Sequence, residues 1–283
     1  MKQLIPEPSS APGIDSSVCE HDAKPTIDAF LTLFETTSPS LRQIWAAMDF
    51  AWDQIGIDNR NPDPVKLSEF YSHPIWLLNG LFIEQHEQSL KNRDAFAAWV
   101  ESVAPGRVAD FGGGYGTLAR AIALRCPQSQ VEVVEPYPRP EALRQSNGHE
   151  NLAFPATLEG EYDVIIATDV FEHVTDPVGL THEVGSHLPI GGRFLIANHF
   201  APSIKCHLPS TFHFNLSWGR VMKKLGFEKE ERVSYGTVYR RTSVPGGLSE
   251  ARKVEQLSQR FHRIPKVCGS GRAKRLLWRA TPV

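Results

Sequence analysis

The sequence predicts an α/β protein built on a doubly wound, mostly parallel sheet of seven strands, with an antiparallel hairpin at its C-terminal end and a helical cap before it. Three observations carry this. From Arg107 onward, short β-branched runs alternate with helix-forming runs, the pattern of a parallel sheet covered on both faces. The first strand-to-helix turn, "DFGGGYGT", holds Gly112, Gly113, Gly114 and Gly116 directly after Asp110. The alternation then stops at "EKEERVSYGTVYRRT", which reads as two consecutive strands turning at Gly236.

Residues 1–24 are rich in Pro, Ser and Asp without periodicity and read as a disordered or extended arm. Residues 25–103 form the cap. Phe30, Leu31, Leu33 and Phe34, then Ile44, Trp45, Met48 and Trp52, recur at helical spacing, with Ser38-Pro39, Pro74 and Gly80 as breaks. Residues 104–243 carry the sheet: strands "RVADF", "QVEVVEP", "NLAF", "EYDVIIAT" and "RFLIANHF", and helices "GTLARAIALRCP", "RPEALRQSN", "DPVGLTHEVGSHLP" and "LSWGRVMKKLGF". Residues 244–283 are a basic extension, in whose last 33 residues Arg252, Lys253, Arg260, Arg263, Lys266, Arg272, Lys274, Arg275 and Arg279 face Glu255 as the single acid. That charge suits an anionic partner; a solvated tail without a role is the alternative.

Composition excludes several classes. A hydrophobic fraction of 41% and a charged fraction of 22%, with no apolar run near the ~20 residues of a membrane helix and no secretory leader, point to a cytoplasmic globular protein. A net charge of −2 argues against a general nucleic-acid surface. Cys19, Cys126, Cys206 and Cys268 are far apart, so neither a zinc cluster nor a disulfide framework is expected. No metal is expected at His199, His207 and His213 either, because their spacing is irregular and no acid lies among them.

In a doubly wound sheet the ligand binds at the carboxyl ends of the strands, and the first strand-to-helix turn is that place. Glycines there let the backbone take positive φ and approach a ligand, and the following helix adds free N–H groups. A dinucleotide turn needs G-x-G-x-x-G or A, and Thr117 stands where the last small residue belongs. Asp110 before the glycines would also repel a pyrophosphate, but it suits an ammonium group. Glu135, at the end of "VEVVEP", is placed to accept ribose hydroxyls.

With "YDVIIATDVFEHVTDP" and "LPIGGRFLIANHF", the sequence at this point resembles the class I S-adenosylmethionine-dependent methyltransferases, specifically the small-molecule group with an "EH" signature after strand four. The resemblance spans roughly residues 70–242. It implies a Rossmann-like fold, S-adenosylmethionine as cofactor and S-adenosylhomocysteine as product. Asp110 and Gly112, Gly113, Gly114 and Gly116 would border the amino-acid part of the cofactor; Glu135 and Pro136 the ribose; Tyr137 the adenine, or else it is a surface aromatic. Asp169, Phe171 and His173 would face the sulfonium or the acceptor, with Glu172 and His173 alternatively a structural pair. Tyr71 and Trp76 belong to a stretch that would act as a lid.

A hydroxyl or amine acceptor must lose a proton, and histidine is the natural base. His199 is the first candidate and His207 the second, with Asp169 as a further catalytic candidate. The expected reaction is O-methylation of a small natural-product or sugar-type molecule. N-methylation of a small amine, a dinucleotide-dependent oxidoreductase and a non-catalytic S-adenosylmethionine-binding regulatory subunit are the alternatives. The cap would shape the acceptor pocket or form a homodimer contact.

Overall fold

The computed structural model describes residues 13–243 and 247–263. Five helices come first: α1 Lys24–Phe34, α2 Leu41–Ile55, α3 Pro64–Ser72, α4 Ile75–Ile83 and α5 Glu87–Val103. Their ends follow local chemistry. Ser40 and Gln43 form a reciprocal capping box at the start of α2, and Gly56 closes that helix at φ 71°. Asp63 caps α3 with Pro64 in its first turn, and Pro74 separates α3 from α4. Ile27, Phe30, Ile44, Met48, Trp52, Phe70, Leu77 and Leu78 bury one side of these helices in a common core.

The sheet then alternates as expected: β1 Arg107–Phe111, α6 Thr117–Arg125, β2 Gln130–Val134, α7 Pro140–Gln145, β3 Leu152–Ala153, β4 Val164–Thr168, α8 Pro177–Ser186, β5 Arg193–Ala197, α9 Phe214–Lys224, β6 Phe227–Val233 and β7 Gly236–Arg241. Strand order is β3-β2-β1-β4-β5-β7-β6. β1 to β5 pair in parallel, whereas β7 runs antiparallel to β5 and β6. The order reverses between β1 and β4, which places the ligand crevice at the ends of those two strands. The edge strand β6 exposes Glu228, Lys229, Glu230, Glu231 and Arg232, charges that discourage pairing with another chain.

Four sequence expectations change. The hairpin turns at Ser234-Tyr235, not at Gly236: Ser234 takes φ 49°, and Gly236 already pairs with Val233. Gly236 is needed for packing, since a Cβ there would stand 3.1 Å from Leu195 and 3.2 Å from Phe96. Gly80 is no break either. It lies inside α4 because the Tyr115 side chain rests on it, with the Tyr115 Cβ 2.7 Å from where a Cβ of residue 80 would be. Residues 13–23 are packed rather than disordered, with Ile14, Cys19 and Ala23 buried in the cap core and the Glu20 N–H donating to Glu141 Oε1 at 2.7 Å.

The fourth concerns the basic extension. Leu248–Arg263 form α10, which buries Ala251 and Val254 beside Trp218 and Val221 of α9. Its Arg252 pairs with Asp176 (2.5 Å) and Glu255 (2.9 Å), and Lys253 with Glu250 (2.5 Å), so these two cations are engaged within the chain. Cys268, Lys266, Arg272, Lys274, Arg275 and Arg279 lie outside the described residues. No described helix is long and apolar enough to cross a membrane.

The seating of Tyr115 on Gly80 joins the cap to the glycine turn. Gly80→Ala is expected to destabilise the protein by about 1–3 kcal/mol through overpacking, despite the better helix propensity of Ala; urea unfolding measures this, and unchanged stability would refute the contact.

Candidate functional site

The glycine turn is built around a buried carboxylate. Asp110, near the end of β1, is 1% exposed, and neither of its oxygens has a hydrogen-bond partner. Gly112, Gly114 and Gly116 all take left-handed φ, at 69°, 55° and 76°. Any side chain at Gly113 would strike the Asp110 carboxylate at 2.6 Å, and one at Gly112 would strike Val170 at 2.7 Å. Gly114 differs: it is exposed, with nothing within 4 Å of a Cβ position, so its backbone is open to a ligand. Burial, with Glu135 adding to it against the pull of Arg93, pushes the Asp110 carboxyl up to about 7.

Glu135 follows β2, half-buried. Its Oε2 accepts from the Gly114 N–H and its Oε1 from the Tyr137 N–H, both at 3.1 Å, so it fixes the glycine loop while keeping lone pairs free. Burial also raises its pKa. Pro136 is exposed in the turn between them. The Tyr137 hydroxyl donates to Ser68 Oγ of α3 at 2.8 Å, so this residue is no free surface aromatic. Thr117, which breaks the dinucleotide pattern, bonds Glu84 beyond the end of α4, as does Arg120 at 2.6 Å.

The second wall follows β4. Asp169 holds φ 54°, a left-handed conformation that aspartate adopts more readily than most non-glycine residues. Its N–H donates to Ala197 O of β5 at 2.6 Å and its Oδ2 accepts from the Tyr235 hydroxyl at 2.8 Å. It is open to solvent on the cleft side yet enclosed by protein elsewhere, which raises its pKa. Phe171, expected to face the cofactor, does not: it is fully buried beneath the loop, its ring 5.4 Å from Trp218 and 6.1 Å from Phe194. The apolar "VF" before the "EH" pair simply feeds the core.

Glu172 and His173 do not pair with each other. Glu172 is fully buried, and its Oε1 accepts the His199 N–H at 2.6 Å while Oε2 has no partner. Burial and then repulsion from Asp169 push it up to about 8. His173 turns to the cap, its ring edge-on to Trp76 and Tyr71 at 6.0 and 6.3 Å, and the Tyr71 hydroxyl donates to the His173 carbonyl at 3.3 Å. Burial lowers His173 to about 3.

After β5, His199 is exposed at the rim, and His207 is buried beneath it with ring centroids 5.8 Å apart. His207 and His173 are 4.8 Å apart. Burial lowers the His207 pKa, so its ring is neutral at pH 7. His213 is elsewhere, bonded to Ser258 of α10 at 2.5 Å. The cleft therefore gathers Asp169, Glu172, His173, His199 and His207 beside the cap residues Tyr71 and Trp76, with Asp110 and Glu135 at the adjoining strand ends. Tyr235, Ser68 and Glu84 escape sequence reasoning, as does Arg93 of α5, whose charge acts on both Asp110 and Asp169. Each lies far along the chain in a segment without a motif. A separate cavity of about 500 Å³ is lined by Ser17, Cys19, Tyr115, Glu141 and Arg144.

A family model described as "Methyltransferase domain" matches residues 83–242. No curated protein matches in sequence. Among solved structures, the mitomycin 7-O-methyltransferase MmcR is similar at 16% identity, with 80% of this chain and 74% of that one covered and a TM-score of 0.50. An O-methyltransferase family protein from Burkholderia thailandensis is similar at 16% identity, with 76% of each chain covered and a TM-score of 0.52. Both likenesses are of fold.

Asp110 gives a pH signature. A carboxyl raised in the fold binds more protons folded than unfolded, so its contribution is present below about pH 4 and is lost as pH rises through about 7. The ligand-free melting temperature is expected to fall between pH 5 and 8, less steeply in Asp110→Asn; equal slopes would contradict the buried, unpartnered carboxyl.

Proposed function

Because the chain belongs to the methyltransferase-domain family, we propose that it transfers the methyl group of S-adenosylmethionine to a small-molecule acceptor, with a hydroxyl oxygen as the atom methylated. One observation carries the reading: the buried, unpartnered Asp110 carboxylate under left-handed glycines, with Glu135 bonded to the same loop from the next strand. A carboxylate at this depth needs a donor or a cation to be stable in its charged form. It fits the cationic amino-acid end of S-adenosylmethionine, and Glu135 fits its ribose. A pyrophosphate would meet both negative charges, which disfavours a dinucleotide.

Bound there, S-adenosylmethionine supplies a methyl group on a positively charged sulfonium, open to in-line displacement. The chain's contribution is placement. Asp110, the glycine backbone and Glu135 hold one reactant, and Asp169 sits at the end of β4, between that site and the histidines. Tyr71, Trp76 and His173 line a side from which water is excluded. His199 at the rim takes the proton from the acceptor oxygen as the new bond forms, and Asp169 stabilises the charged imidazole through its nearby carboxylate. Tyr235, bonded to Asp169, keeps that carboxylate oriented.

S-adenosylhomocysteine is expected to raise the melting temperature and NAD to leave it unchanged; stabilisation by NAD alone would overturn the reading. Glu135→Ala should weaken S-adenosylhomocysteine binding about tenfold or more, a loss of ~1.4 kcal/mol, read by calorimetry. His199→Ala should leave that affinity intact while lowering kcat for a hydroxyl acceptor by about 10²- to 10⁴-fold. An unchanged kcat would remove His199 as the base.

A further inference from the structure

Glu172, His173 and His207 each bring one potential ligand atom to within 4.8 Å of the other two. They come from two loops, so no sequence spacing announces them. Their remaining hydrogen bonds decide which atoms are free. His173 Nδ1 lies 3.1 Å from the Cys206 carbonyl and His207 Nδ1 lies 2.8 Å from the Ala201 carbonyl. A carbonyl only accepts, so each Nδ1 carries the proton and each neutral ring keeps its lone pair on Nε2. Glu172 spends Oε1 on the His199 N–H and leaves Oε2 buried with no partner at all. Two imidazole nitrogens and one carboxylate oxygen therefore stand free, while the opposite atom of each side chain is tied to the backbone. That second layer is the arrangement that orients histidines and carboxylates on a metal.

Burial supports the same conclusion. Glu172 is fully buried, and His173 and His207 are 9% and 7% exposed, with the rings of Tyr71 and Trp76 set against His173. Of the three free atoms, Glu172 Oε2 is fully buried with no protein donor to satisfy it. Closing them to ligand distances of about 2.0–2.2 Å from a common centre takes side-chain movement on the order of 1 Å. We infer that Glu172, His173 and His207 form a binding site for one first-row divalent cation, zinc foremost, with open positions toward the cleft. Two nitrogens and one oxygen with a vacancy is the donor set of catalytic zinc sites. On the methyl-transfer reading above, the ion is a Lewis acid for the acceptor's oxygen. The site itself does not depend on that reading. It replaces His207 as a base with His207 as a ligand and leaves proton removal to His199.

The test uses the full-length, tag-free protein, stripped with EDTA and titrated with ZnCl2 by calorimetry and then with CoCl2 by visible absorption. One zinc per chain with micromolar or tighter affinity is expected, together with cobalt d–d bands. Glu172→Gln, which preserves the oxygen facing His199, and His207→Gln should each weaken zinc at least tenfold and abolish the cobalt bands. His182→Gln, on α8 outside the cluster, should change neither. S-adenosylhomocysteine thermal shifts on every variant report that the fold and the neighbouring site are intact. Absence of saturable zinc binding, or zinc and cobalt binding that survives both ligand variants, overturns the site. Loss of the S-adenosylhomocysteine shift in the unmutated protein would instead overturn the proposed function and leave the zinc result standing.

Discussion

Glu172 holds both ends of the loop that follows β5 and lines one side of the cleft. Its carboxylate accepts the His199 N–H, and its own carbonyl accepts the Leu208 N–H at 2.9 Å. Between these two bonds lie His199, the carbonyls of Ala201 and Cys206, and His207. One fully buried acid thus sets where every histidine of the cleft stands. Burying such a group is costly without compensation, and the Asp169 charge nearby makes it costlier still. The His199 N–H on Oε1 offsets part of that cost, while Asp169 beside it is pinned to β5 through the Ala197 carbonyl.

The cap completes the cleft rather than merely preceding it. It is fastened at the glycine turn by Tyr115 on Gly80 and by Glu84 on Thr117 and Arg120, and beyond the end of β2 by Ser68 on Tyr137. Beyond β5, the Lys205 N–H donates to Asp49 of α2 at 2.7 Å and its ammonium pairs with Asp53. The loop that Glu172 holds from the sheet is therefore held from the cap as well. Tyr71 and Trp76 are positioned by these ties. Removing the cap would expose the buried histidines and the carboxylates to water.

Much of this was legible in the sequence where chemistry is local. The β-α alternation gave the sheet, since periodicity and turn residues are nearest-neighbour properties. The glycine run after Asp110 located the turn at the end of β1, and the acid after β2 located the side chain that fixes it. What was not legible depended on long-range closure. The "EH" pair looks like one unit, yet the hydrogen bonds of its two side chains go to different partners, and the carboxylate that comes within 4.8 Å of His207 lies 35 residues before it. Phe171 misled because its neighbours in sequence are in the cleft while its side chain is in the core. Tyr235 could not be found: a tyrosine in a charged hairpin says nothing of the aspartate it meets across the sheet.

On the proposed function, one cleft, bounded by the glycine turn, the ends of β2, β4 and β5, and the cap, holds both reactants. Hydrogen exchange with and without S-adenosylhomocysteine tests it directly, because binding orders the backbone that the ligand touches. Protection is predicted at 110–117, 135–137 and 168–173, extending to 68–76 in the cap. Protection confined to 17–20 and 141–145, the lining of the separate cavity, would contradict the account.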